Sequence, residues 1–211
     1  MARQRSSAGR IEQVAHDPRA YIVDAAKDVF LGGGFADTTM DEIARTARIS
    51  KHTLYSHFRD KADLFEAVIV QDMQRFQNLP DLTQDRRDPE EVLFEAARWI
   101  YDHHVSDQAI AMNRVLIGAA VNFGGLIERH HAYRFQASVS WIASYIKSLA
   151  DSGVLPIADP PRAAARFALM ASEGSQAVMG RPPVDRKERD RLARSTVALF
   201  MRGHGVSAAS A

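Results

Sequence analysis

The sequence predicts an all-α protein, and three observations carry that expectation. Apolar residues recur at three- and four-residue intervals along most of the 211 positions. Helix-start signals, a Ser, Thr or Asp just ahead of such a run, recur down the chain. Alternating β-branched runs bounded by turn residues occur nowhere at useful length. About nine helices are expected, in an N-terminal three-helix helix-turn-helix unit followed by a larger helical domain.

Each element has its own justification. Residues 1–16 are polar and basic, with Arg3, Arg5 and Arg10, and are expected to form a tail. Asp17 then caps a helix with Pro18 at its first position, and Ile22, Ala25, Ala26, Val29 and Phe30 share one face until Gly32-Gly33-Gly34 stops it. Thr39-Met40-Asp41-Glu42 is a capping box, opening a short helix whose buried face is Met40, Ile43, Ala44 and Ala47. Ser50 caps a third helix running to Phe58, and Asp60 a fourth with Leu64, Phe65, Val68 and Ile69 inward. Residues 78–88 read as a loop around Pro80.

Beyond the loop, Asp88-Pro89 opens a helix to about Val105, and another runs from about Ser106 to Val121 before a break at Gly124-Gly125. A helix from about Ala132 to Ser152 carries Phe135, Val139, Ile142, Ile146 and Leu149, and Gly153 ends it. A helix near 160–180 is rich in small residues, which allow close approach of a neighbour. The last, near 185–203, starts at Asp185 and places Leu192, Thr196, Leu199 and Phe200 on one face.

Composition narrows the function. Cysteine is absent, which excludes disulfides, thiolate metal sites and cysteine nucleophiles. The longest apolar stretch, Val115 to Ile127, is too short to span a bilayer, and no apolar signal segment follows the basic N-terminus. No partnership with a membrane is expected. No nucleotide loop or nucleophile motif is present, so no catalytic residue is assigned. His103-His104 and His130-His131 cannot chelate as adjacent pairs, because neighbours on a helix point about 100° apart. Neither metal nor cofactor is expected.

Net charge is only +1, but between positions 45 and 61 five basic side chains face the single acid Asp60. That concentration suits a polyanion. The turn between Ala47 and Ser50 has the connection of a helix-turn-helix, which presents Lys51, His52 and Thr53 at the start of its second helix. Leu54 and Phe58 hold that helix inward, while Tyr55 and His57 point away. A solvated cationic helix face is the plain structural alternative to this reading.

The runs Thr38-Thr39-Met40-Asp41-Glu42-Ile43-Ala44 and Ile49-Ser50-Lys51-His52-Thr53-Leu54-Tyr55-Ser56-His57-Phe58-Arg59-Asp60-Lys61-Ala62-Asp63-Leu64 resemble the signature of the tetracycline-repressor (TetR) family. The resemblance runs from about Ala20 to Ile69. Beyond it, Gly153-Val154-Leu155, Phe167 and Phe200 are similar in layout to the AefR-type C-terminal domain. It implies a DNA-binding domain over 17–63, a ligand-binding and dimerisation domain over 64–205, and a short tail over 206–211.

By the same resemblance, Thr39 contacts phosphate, Ser50 starts the recognition helix, and Lys51, His52 and Thr53 touch bases and nearby phosphates. Tyr55, His57 and Lys61 grip the DNA backbone. Many members carry a small residue or proline where this chain has His52, so its role and the operator sequence stay open. The implied partners are a near-palindromic double-stranded DNA operator, a second copy joined through about 162–180 and 185–203, and a small, mostly apolar effector. Trp99, His103, Met112, Asn113, Phe123, Phe135, Trp141 and Tyr145 fall where relatives enclose that effector, although aromatic residues at helical spacing also serve as core. The expectation is therefore a cytoplasmic homodimeric transcriptional regulator, most simply a repressor. A structural DNA-binding protein without effector and a helical carrier or enzyme are the alternatives.

Overall fold

The structure, a computed structural model, describes residues 17–74, 79–172 and 185–205. The expected tails at 1–16 and 206–211, residues 173–180 of the helix expected near 160–180, and residues 181–184 after it lie outside them. Among the described residues there are eight α-helices and no strand. They are α1 (Pro18–Asp37), α2 (Met40–Ala47), α3 (Lys51–His57), α4 (Lys61–Gln74), α5 (Pro89–Val105), α6 (Asp107–Asp151), α7 (Pro160–Ala171) and α8 (Arg186–Gly203). A 3-10 turn, Leu82–Gln84, precedes α5.

Most starts lie where the capping residues put them. The side chains of Asp17, Thr39, Ser50, Asp88, Ser106, Asp159 and Asp185 each accept a hydrogen bond from a first-turn amide, each worth about 1 kcal/mol. The two expected glycine breaks appear as kinks within α1 and α6. α1 joins two helical stretches across Gly34, the last of its three glycines, at φ 77° and ψ 171°, and the second stretch ends at Asp37. α6 joins two stretches across Phe123, the residue before Gly124-Gly125, at φ −130° and ψ 22°, and the second stretch starts earlier than the expected Ala132.

The described chain divides into two compact units, residues 17–74 with 114–130, and residues 79–113 with 131–172 and 185–205. The expected boundary between residues 63 and 64 falls inside α4. α6 contributes residues to both units. By length and composition alone α6 holds a stretch apolar enough to cross a membrane. Val115, Leu116, Ala119 and Ile127 of that helix are buried in the first unit, whereas Ile117 and Val121 are 61% and 97% exposed.

The first unit is built on Ile22, Phe30, Ile43, Leu54, Phe58, Leu64 and Phe65, all at most 1% exposed. Phe30 meets Phe65 edge-on at 5.1 Å, and Phe123 of α6 joins Phe35 and Phe65 at 4.9 and 5.1 Å. Such pairs add about 1 kcal/mol each beyond burial. In the second unit, Val92, Leu93 and Ile100 of α5 and Ile142 and Ile146 of α6 share a core with Ala164, Phe167 and Ala168 of α7 and with Val197 and Phe200 of α8. Phe167 and Phe200 meet edge-on at 5.1 Å. Of the face expected on α8, Thr196 and Phe200 are buried, whereas Leu199 is 53% exposed.

Candidate functional site

The helix-turn-helix is assembled from local bonds. Thr39 Oγ1 accepts from the Glu42 amide at 3.2 Å and starts α2. The helix ends at Arg48, the one non-glycine described residue with positive φ, 56°. The Ile49 amide there donates to the Ala44 carbonyl at 3.0 Å, closing the turn. Ser50 Oγ accepts from the Thr53 amide at 3.0 Å and pairs with the Thr53 hydroxyl at 2.8 Å, so α3 begins after a short, bonded connection. Leu54, fully buried, anchors it.

This arrangement leaves Thr39, Ser50, Lys51, His52 and Tyr55 exposed and Thr53 and His57 half-buried. Tyr55 stands 52% exposed on α3, on the same outward side as Lys51 and His52. Lys51 Nζ lies 2.6 Å from Asp41 Oδ2, with both side chains more than 60% exposed. Such a surface pair contributes little, so a phosphate can replace Asp41 at small cost. Lys61 is placed differently. Its ammonium donates to the carbonyls of Phe35, Ala36 and Thr38 at 2.7, 3.1 and 2.8 Å and lies 4.5 Å from the Phe35 ring centre. It ties the C-terminal end of α1 to the start of α4.

The residues expected to line an effector cavity do not all gather. Met112 and Tyr145 are buried in the second unit, at 2% and 4% exposed, and Phe123 belongs to the first. Phe135 packs on the second unit's core. The buried Asn113 Oδ1 has no hydrogen-bond partner among the described residues. Trp99, His103 and Trp141 do gather, around a groove of about 450 Å³ between the 3-10 turn and α5. The Trp99 ring is 4.8 Å from Trp141 and stacks on His103 at 3.6 Å. A second groove in this unit, of about 530 Å³, is lined mostly by charged side chains, and Arg194 covers its Phe94 ring at 4.3 Å.

His103 and His104 each place Nδ1 2.8 Å from a carbonyl one turn back, of Trp99 and Ile100. Burial pushes the His104 imidazole below its ordinary value; the bond to Ile100 opposes that shift, and Arg134 with the neighbouring histidines adds to it. Among the described residues no set of three or more His, Asp or Glu side chains gathers as a metal site.

Two features escape sequence reasoning. Arg48 stands in the basic run, but nothing in the sequence marks it as the residue turning the chain in the left-handed region, a role for which glycine is the usual signal. The other is a buried charged cluster in the first unit. Lys27 Nζ lies 3.3 Å from Asp72 Oδ1, and His130 Nε2 lies 3.1 Å from Asp72 Oδ2, all three residues at most 7% exposed. They come from α1, α4 and α6, up to 58 positions apart between bonded partners, and no spacing rule joins them.

Comparison with known proteins fits this geometry. Residues 22–68 match the family described as bacterial regulatory proteins, tetR family, and residues 91–206 match the AefR-like transcriptional repressor C-terminal domain. The HTH-type transcriptional regulator SrpR of Pseudomonas putida is 28% identical over 145 residues, 68% of this chain and 66% of SrpR. The HTH-type transcriptional repressor BepR of Brucella suis is 32% identical over 105 residues, 48% of this chain and 43% of BepR. The matched segments thus span two thirds or less of these relatives. A solved structure from Mesorhizobium loti, assigned to the TetR-family transcriptional regulators, superposes with a TM-score of 0.79 at 25% identity, covering 89% of this chain and 96% of that one. With both halves matched and a helix-turn-helix formed by α2 and α3, the chain belongs to the TetR family of bacterial regulatory proteins, with an AefR-like C-terminal domain.

Proposed function

We propose that the protein is a cytoplasmic transcriptional repressor that binds a near-palindromic operator as a homodimer and releases it on binding a small effector. The observation that carries the DNA reading is the exposed row Lys51, His52 and Tyr55 on a short helix entered through a tight, bonded turn. The start of α3 enters the major groove, with Lys51, His52 and Thr53 at base edges and adjoining phosphates. Thr39, Ser50, Tyr55 and His57 flank them on the backbone. Two copies must present α3 about 34 Å apart to meet successive grooves.

Repression is supported by the AefR-like repressor domain and by the likeness to the repressor BepR. The effector reading is supported by the tryptophan-lined groove of the second unit. α6 contributes residues to both units, so a ligand that prefers one setting of that helix over another shifts DNA affinity by the ratio of its two affinities.

Selection of bound sequences from random double-stranded DNA tests the reading. It is expected to return a two-fold symmetric site. Lys51→Ala with Tyr55→Ala should weaken binding to that site at least tenfold and lower the magnitude of the salt slope by about 1 for each phosphate that Lys51 no longer neutralises. Undiminished binding by the double variant at matched salt removes α3 as the reading element.

A further inference from the structure

We infer that the groove beside Trp99 and Trp141 takes an amphipathic organic cation, one carrying aromatic rings and a positive charge. The inference rests on the effector reading above and names its ligand class. The chain has only two tryptophans, and both line this groove of about 450 Å³. Trp141 is held in place, because its indole N–H donates to the Pro80 carbonyl at 2.8 Å. Trp99 is held by the stacked His103 ring at 3.6 Å. Two fixed, half-buried indoles at 4.8 Å offer flat apolar and π surface without any side chain having to be ordered first.

Charge selects among apolar ligands. The lining includes Asp81, Asp85, Glu95 and Asp102 against Arg87 and Arg98, an excess of two carboxylates. Both guanidinium groups are already engaged. Arg87 is clasped by both oxygens of Asp85 at 2.7–3.1 Å, and Arg98 lies 3.1 Å from Glu95. Asp102 Oδ1 is 3.1 Å from Arg189 Nε but is buried without the alignment of a hydrogen bond. Asp81 Oδ1 takes the amide and hydroxyl of Thr83, and no guanidinium of the described residues clasps it. An anion entering the groove would meet the Asp81 carboxylate and would have to compete with Asp85, Glu95 and Asp102 for the guanidinium groups that they already hold. A cation meets carboxylates together with indole faces, the combination that favours positive charge twice.

Titration of the full chain with tetraphenylphosphonium and with tetraphenylborate, ions of one shape and opposite charge, tests this. The two tryptophans make intrinsic fluorescence a direct reporter of the groove. The phosphonium is expected to give a saturable change at least tenfold tighter than the borate. Asp81→Asn with Asp102→Asn should shrink that ratio severalfold, since asparagine keeps shape and capping while removing charge. Trp141→Leu should abolish the preference, and Trp141→Phe should keep part of it if the leucine variant does not fold. Equal or tighter binding of the borate, no fluorescence response to either ion, or a ratio indifferent to the aspartate changes overturns the inference. If the phosphonium binds as expected but leaves operator affinity unchanged, the effector reading fails while the ligand class stands.

Discussion

Asp72 illustrates how single residues govern the first unit. It joins Lys27 and His130 where none of the three is more than 7% exposed. Removing its charge leaves a buried ammonium without this carboxylate, and Asp72→Asn should lower unfolding free energy by about 3 kcal/mol in a urea titration. Adding Lys27→Met should return much of that loss, because the stranded charge is then gone. His104 contributes to the pH dependence of the second unit. Burial holds its folded-state value below the ordinary 6.5, so the unfolded chain binds the proton first as pH falls. The contribution is complete above the unfolded value and is lost on acidification below it. Urea unfolding at steps from about pH 7 to about pH 5 should show declining stability, with a shallower decline in His104→Gln.

At the scale of elements, the helix-turn-helix depends on what ends α2 and what starts α4. Arg48 adopts φ 56° at the turn, a conformation costing about 1 kcal/mol for a residue with a side chain. Arg48→Gly should therefore leave the melting temperature unchanged or raised, while operator affinity and salt slope fall if the guanidinium serves the DNA backbone. Lys61 does the reverse. With three carbonyls on its ammonium, Lys61→Met should cost about 2 kcal/mol of stability, whereas Tyr55→Ala should weaken DNA binding with the melting temperature unmoved. Thermal melts beside binding isotherms separate the two roles, and equal melts for both variants would place Lys61 on the DNA instead.

For the whole molecule, DNA recognition by a symmetric site requires two copies held at one separation. Leu169 on α7 and Leu199 on α8 are 60% and 53% exposed, although both belong to amphipathic helices that bury Phe167 and Phe200. Exposed leucines on these neighbouring helices suit a self-complementary contact with a second copy. Leu169→Glu with Leu199→Glu should give a monomer by light scattering and reduce operator affinity more than tenfold. A dimer of undiminished stability in this variant would locate the contact on another face.

What was legible in the sequence was local. Caps, prolines and three- and four-residue spacing act within a few positions, so Asp17, Thr39, Ser50, Asp88 and Asp185 marked helix starts without any tertiary information. The exposed row on α3 followed from its cap and from Leu54 and Phe58 alone. Tertiary structure decided what depends on distant neighbours. Glycines at 124 and 125 read as a break, and the kink falls at Phe123, whose ring packs on Phe35 and Phe65. Lys61, expected at the DNA backbone by resemblance, also donates to three carbonyls at the end of α1, contacts that no local spacing marks. Trp99 and Trp141, 42 positions apart, share a groove, and Lys27, Asp72 and His130 share a buried charge cluster. Hydrogen bonds within a turn are encoded by spacing, whereas desolvation and the pairing of charges depend on which segments come to lie side by side.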